Sequence, residues 1–180
     1  MDDATFQVLY VFVAIEIGSR RILHCNVTDH PTAEWTGQQF PEFLDGESGH
    51  QYLIHDRDSV FSIDVDAALC GFGLRVLTTP VRSPMANAHC ERVIGTIRRE
   101  CVDYLIPLNE RHLKFILREY ITHYNGGRPH SALGPGIPEP IQATVPTSGH
   151  RHRLPPGYRV AKTSVLGGLH HEYRLENAVA

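Results

Sequence analysis

No uninterrupted apolar run in the chain approaches the ~18–20 residues of a membrane-spanning helix, so no membrane span is expected. The start, MDDATFQ, is acidic where a secretion signal is basic, and no targeting segment is expected there. There is no C-x-x-C pair. Cys25, Cys70, Cys90 and Cys101 stand far apart and read as reduced thiols of a cytoplasmic protein, some of them core filler. Lysine is missing from the first 80 residues, where 4 arginines face 12 acidic residues; residues 81–180 reverse the balance with 13 basic against 8 acidic. A net charge of −3 therefore conceals an acidic half, suited to a cation, and a basic half, suited to a polyanion. What remains is ordinary for a globular protein: 180 residues, 42% of them apolar, enough for one domain with extensions.

The hydrophobic pattern alternates between strand and helix. VLYVFVAIEI (8–17) is nearly continuous apolar and predicts a buried strand; GSRR turns it, and ILHCNVT (22–28) returns as the second arm of a hairpin. DHPTAEWTGQQF (29–40) predicts a helix with Asp29 or Thr32 as cap, disturbed at its end by Pro41. QYLIH (51–55) is a short strand, IDVDAALCGFG (63–73) a short helix closed by glycine, and LRVLTTP (74–80) a strand stopped by proline. A helix is expected from Asn87 or Ala88 with Val93 and Ile97 on its apolar side. The clearest periodicity lies in 108–125, where Leu113, Ile116, Leu117, Tyr120, Ile121 and Tyr124 recur every three or four residues. GGRPHSALGPGIPEP (126–140) must be loop, and SVLGGLHHEYRLE (164–176) suggests a hairpin on Gly167–Gly168. The order is that of a mixed α/β domain.

Two carboxylates stand out. Asp56 follows the strand QYLIH, and Glu91 falls in the first turns of the helix after the next strand. Phosphoryl transfer assisted by two metals needs hard oxygen ligands converging from different elements, and adjacent strands ending on one side of a sheet supply that arrangement. On the helix, Glu91, Gly95 and Arg98 share a face, so the arginine is placed to pair with a phosphate beside the metal. Taken singly, either acidic residue is more simply a turn former or a solvated surface group. Arg82, Arg92, Arg98 and Arg99 surround Glu91 and are candidate DNA-phosphate contacts. His55 has a plainer reading as a strand-end histidine, and His89–Cys90 match no structural zinc spacing.

The stretches DRDSVF, TPVRSPMANAHCERVIGTIRREC and HYNGGRPHSAL resemble, in order and spacing, the catalytic core of the integrase and insertion-sequence transposase superfamily. The last two acidic residues of that family are separated by about 35 residues; here 34 lie between Asp56 and Glu91. Asp56 and Phe61 meet an Asp-x-x-x-x-Phe pattern, although Arg57–Asp58 replaces the usual Asn-Gly. Tyr124–Asn125, Arg128–Pro129–His130 and Leu133 match the closing signature. The resemblance implies a ribonuclease-H-like mixed sheet flanked by helices. It implies Mg²⁺ or Mn²⁺ chemistry on DNA, with hydrolysis at an element end followed by attack of a 3′-hydroxyl. Asp56 would bridge the metals and Glu91 would bind the second.

The family also requires an earlier aspartate, on the strand paired with LYVFVAIEI. The spacing of bacterial relatives runs past Met1, and that of retroviral integrases lands near Asp2, which, like Asp3, lacks flanking strand residues. The expectation is a bacterial, cytoplasmic insertion-sequence transposase core, truncated and impaired, with its first strand incomplete. Residues 1–140 would form the core and 141–180 a partly irregular extension. Its partners would be DNA and a second copy or full-length transposase, without a membrane. The rival readings are a working enzyme in which Asp2 replaces the lost ligand or a partner supplies the strand, and a non-catalytic DNA-binding or dimerising remnant.

Overall fold

The computed structural model describes residues 8–44, 49–80, 87–134, 136–140 and 154–178. The described chain forms two compact units that divide within one long helix, after Leu117.

The first unit begins with strands β1 (Tyr10–Ile15) and β2 (Ile22–Thr28), an antiparallel hairpin whose register slips between Ala14 and Ile15. Its turn is closed by Glu16 N–H donating to the Arg21 carbonyl at 2.8 Å, with Arg20 in the left-handed region at φ 66. Thr32 caps helix α1 (Ala33–Gln39), its hydroxyl accepting from Trp35 N–H at 3.1 Å, and Pro41 lies in the 3-10 turn that follows. Strand β3 (Tyr52–His55) pairs in parallel with β4 (Arg75–Thr78), and helix α2 (Ile63–Gly71) connects them. This is the crossover that parallel pairing demands. Ser62 caps α2, and Gly73, at φ 82, supplies the left-handed residue that lets the chain leave the helix for β4. Helix α3 (Ala88–Glu100) follows, beginning where its apolar stripe predicts.

Phe40, Leu44, Val65, Leu69 and Leu74 make the buried cluster of this unit, with Phe12, Leu53 and Phe61 packed against it. Leu69 is 1% exposed, and burial of such a side chain stabilises by roughly 1.5–3 kcal/mol. Phe12 meets Phe40 edge to face at 5.7 Å between ring centres, which fixes the hairpin over α1.

Burial of β1 differs from expectation. Its apolar run predicts a strand enclosed on all sides, yet Tyr10 is 49% and Val11 38% exposed. The cause lies in the pairing: β1 is bonded only to β2, and β3 only to β4, so among the described residues the strands form separate two-stranded ladders, not one continuous sheet.

Helix α4 (Glu110–Gly126) carries the expected stripe, with Leu113, Ile116, Leu117, Tyr120 and Tyr124 all buried. In the second unit, its last turns lead into the Gly/Pro-rich loop. Tyr124 packs edge-on against His130 at 4.6 Å and beneath the Arg128 guanidinium at 5.7 Å, and Glu139 N–H donates to the Asn125 carbonyl at 2.8 Å. These contacts give the Tyr-Asn and Arg-Pro-His signature a structural purpose, that of holding the loop against the helix end. Strands β5 (Tyr158–Val165) and β6 (His170–Asn177) form the expected hairpin, turned at Gly167 and Gly168 with φ 65 and 104. Glu172 on β6 accepts from the His123 ring at 2.8 Å. No helix among the described residues is long and apolar enough to cross a membrane.

Candidate functional site

Strand β3 stops at His55 because the next residues prefer a turn. The Asp56 carboxylate accepts from Asp58 N–H at 3.2 Å, and the Asp58 carboxylate accepts from Val60 N–H at 3.2 Å. Arg57 Nε donates to the Thr79 carbonyl at 3.0 Å, tying this turn to the end of β4. Asp56 itself is exposed, so its carboxylate is open to a ligand. Beneath it His55 is buried at 5% exposure and stacks on Phe61 at 4.4 Å. Its Nε2 lies 2.9 Å from the Asp66 carboxylate on α2, and its Nδ1 lies 2.5 Å from the Asp56 carbonyl. The histidine thus fastens the aspartate's backbone to the neighbouring helix.

Glu91 lies in the first turn of α3, where the positive end of the helix dipole favours a carboxylate, and it is exposed. Val93, Thr96 and Ile97 are buried on the opposite side. Arg92, Arg98 and Arg99 are exposed along the same helix. Arg99 folds back over Gly95: a β-carbon added at Gly95 would meet the guanidinium at 3.0 Å. Arg20, from the hairpin turn, bonds to the His89 ring at the helix start. Burial and the charges of Arg20 and Arg92 hold the pKa of His89 below its ordinary value.

Cys90 precedes Glu91 in the first turn of α3. Its thiol pKa is pushed up by burial first, then by the negative charges of Asp56 and Glu91. Asp56 and Cys90 also line the same cavity of about 870 Å³. Cys25 has its thiol pushed up to about 12 by burial alone and is inert at ordinary pH.

Paired carboxylates at a strand exit and a helix start are hard oxygen donors that suit Mg²⁺ or Mn²⁺ with water or phosphate completing the shell. Among the described residues no group of three His, Cys, Asp or Glu side chains converges to hold an ion. The donor set present fits a water-rich metal site and falls short of an all-protein cage. Asp58 serves the turn, its carboxylate accepting from Val60 N–H. Arg82, Asp2 and Asp3 lie outside the described residues. Sequence reasoning missed the His55–Asp66 link and the Arg20–His89 contact, because neither pair has a spacing that marks it.

The family model described as integrase core domain matches residues 73–138. Among solved structures, the catalytic core domain of BIV integrase is similar with a TM-score of 0.53 and 17% identity, over 71% of this chain and 81% of that one. A chain of the simian T-cell lymphotropic virus intasome in complex with PP2A regulatory subunit B56 gamma is similar with a TM-score of 0.57 and 11% identity, over 91% of this chain and 59% of that one. No curated protein matches. The fold is the ribonuclease-H-like α/β fold of integrase catalytic cores, and the resemblance read from the motifs holds.

Proposed function

We propose that this integrase-type domain is built for metal-dependent phosphoryl transfer on DNA, and that Asp56 and Glu91 are its metal-binding carboxylates. The observation that supports the reading is that Asp56, at the exit of β3, lines one cavity with Cys90, the residue before Glu91 on α3. The integrase core match, which spans Glu91 and the Arg-Pro-His loop, supports it. A bound divalent ion would polarise a phosphate oxygen and lower the pKa of its water. The chain's own residues orient the reaction: His55 fixes the Asp56 backbone, and Arg92, Arg98 and Arg99, with Arg82, hold the DNA phosphates. Residues 1–140 act as the core and 141–180 as its extension, on DNA and in assembly with a second copy or a full-length transposase.

A site resting on these two carboxylates alone is expected to work poorly. Two carboxylates hold Mg²⁺ mostly through water, and a misplacement of ~1 Å costs on the order of 100-fold in rate. The chain is expected to show no Mg²⁺-dependent strand transfer. Any metal-dependent cleavage that is detected should be abolished by Glu91→Gln. Robust cleavage by the unmodified chain that vanishes in Asp2→Asn would overturn that expectation. A second reading, a non-catalytic DNA-binding remnant, is favoured by the lack of a three-ligand cluster among the described residues. It is separated from the first by DNA binding that persists in Asp56→Asn with no cleavage by the unsubstituted chain in Mg²⁺ or Mn²⁺.

A further inference from the structure

We infer that the open face of the β5–β6 hairpin binds single-stranded nucleic acid, bases stacking on Tyr173 and Tyr158 while Lys162 holds a phosphate. In an antiparallel ladder, residues directly opposite one another share a face, and successive residues along a strand alternate. The register sets Val160 opposite Leu175, Lys162 opposite Tyr173, and Ser164 opposite His171, so these residues lie on one face together with Tyr158. Val165, His170 and Glu172 lie on the other. That second face meets α4: His170 stacks on the His123 ring at 4.9 Å, and Glu172 accepts from the same ring at 2.8 Å. Glu176 is on the α4 side as well, bonded by Arg174 Nε at 3.0 Å and by Arg159 at 3.5 Å. Alternation has therefore sorted both carboxylates of the hairpin onto one face and left the open face with none.

The open face selects its occupant by charge and shape. Tyr173 is 66% and Val160 50% exposed, and Lys162 is exposed beside them. With no carboxylate on its face, the Lys162 ammonium is complementary to an anion. The β-carbons of opposite residues lie about 5 Å apart, which makes Lys162 and Tyr173 one feature, a cation flanking a ring. Tyr158 stands four residues back on the same strand, about 13 Å away at ~3.3 Å per residue. An unpaired strand offers both chemistries, phosphates for the lysine and bare π-faces for the two tyrosines. A duplex hides those π-faces in its own stack and is held by an array of cations that this face does not carry. Two copies laid face to face would set Lys162 against a surface without a carboxylate. An anionic membrane attracts clusters of about four to eight basic residues, not one. No residue of α3 takes part, so the hairpin adds a contact of a different kind to the α3 arginines assigned to phosphates.

The test uses the full chain in EDTA, where no metal site is loaded, with Arg98→Gln and Arg99→Gln as background to lower the contribution of α3. The probe is a short fluorescein-labelled oligothymidylate carrying one 5-iodouracil. The comparison probes are the same backbone without bases and a duplex of equal length. The expected result is saturable binding that prefers the single strand to both. Tyr173→Ala should raise Kd about tenfold or more, whereas Tyr173→Phe, which keeps the ring, should stay within about twofold. Lys162→Gln should lower the slope of log K against log salt by about 0.7. Arg174→Gln, on the α4 side, should change Kd by less than about twofold. Tyr173 is exposed, so the Tm should be unchanged in both of its variants. Irradiation should join the iodouracil to a peptide that contains Tyr173 or Tyr158. Cross-links confined to α3, parental affinity in Tyr173→Ala, equal affinity for the baseless backbone, or preference for the duplex would each overturn the inference. So would dimerisation or binding to anionic vesicles that Tyr173→Ala abolishes while the oligothymidylate is bound as before. Cross-links confined to α3 leave the metal-site reading standing, and a chain that never cleaves DNA leaves this binding in place.

Discussion

Replacing His55 with alanine tests whether this buried ring holds the candidate aspartate in place. The ring makes three contacts: the stack on Phe61 at 4.4 Å, the bond to the Asp66 carboxylate at 2.9 Å, and the bond to the Asp56 carbonyl at 2.5 Å. The stack contributes about 0.5–1.5 kcal/mol. A net hydrogen bond to a neutral group contributes about 0.5–1.5 kcal/mol, and one to a charged group about 1.5–3 kcal/mol. The Asp66 side chain is 35% exposed, so solvent screening puts its bond at the low end of that range. The expected loss for His55→Ala is about 3 kcal/mol, read in urea as a lower midpoint with an unchanged slope. The sharper measurement is the cycle with Asp66→Asn. Side chains in direct contact couple by about 0.5–3 kcal/mol, whereas unconnected ones add. A loss below about 1 kcal/mol in the single variant, or strict additivity in the double one, refutes the reasoning. Asp56 would then be positioned by its own turn alone.

Three further outcomes are expected. Cys90 has its pKa held above the ordinary thiol value partly by Asp56 and Glu91, so its thiolate forms only at higher pH. In a Cys70→Ser background, which removes the exposed thiol, Asp56→Asn or Glu91→Gln should shift the onset of Cys90 alkylation by iodoacetamide to lower pH. An unmoved onset would mean that the carboxylates do not converge on it. Arg98→Ala should weaken DNA binding alike for all sequences and reduce the slope of log K against log salt by about 1. An unchanged slope leaves this arginine a solvated helix residue. Gly127→Ala places a β-carbon 2.3 Å from the Glu172 carboxylate and must displace it from His123, at a cost of about 1.5–3 kcal/mol by urea denaturation. In a Glu172→Ala background the same substitution should cost little.

Local chemistry was legible in the chain itself. The α4 stripe, the Thr32 cap, the start of α3 and the Gly167–Gly168 turn each depend on residues within about one or two turns of one another, and periodicity or backbone preference expresses that directly. That Asp56 and Glu91 belong to one site is an expectation from spacing and family resemblance, and the order of strand, helix, strand and helix is as expected. Other features were decided only when distant segments met. The apolar run of β1 says that the strand wants burial, but not that Tyr10 and Val11 stay exposed, because among the described residues β1 pairs with β2 alone and pairing is not set by the strand's own residues. His55 reaches Asp66, Arg20 reaches His89, and Cys90 shares a cavity with Asp56 for the same reason. A hydrogen bond or a Coulomb field depends on a few ångströms in space, and separations along the chain carry no such distance until the backbone has folded.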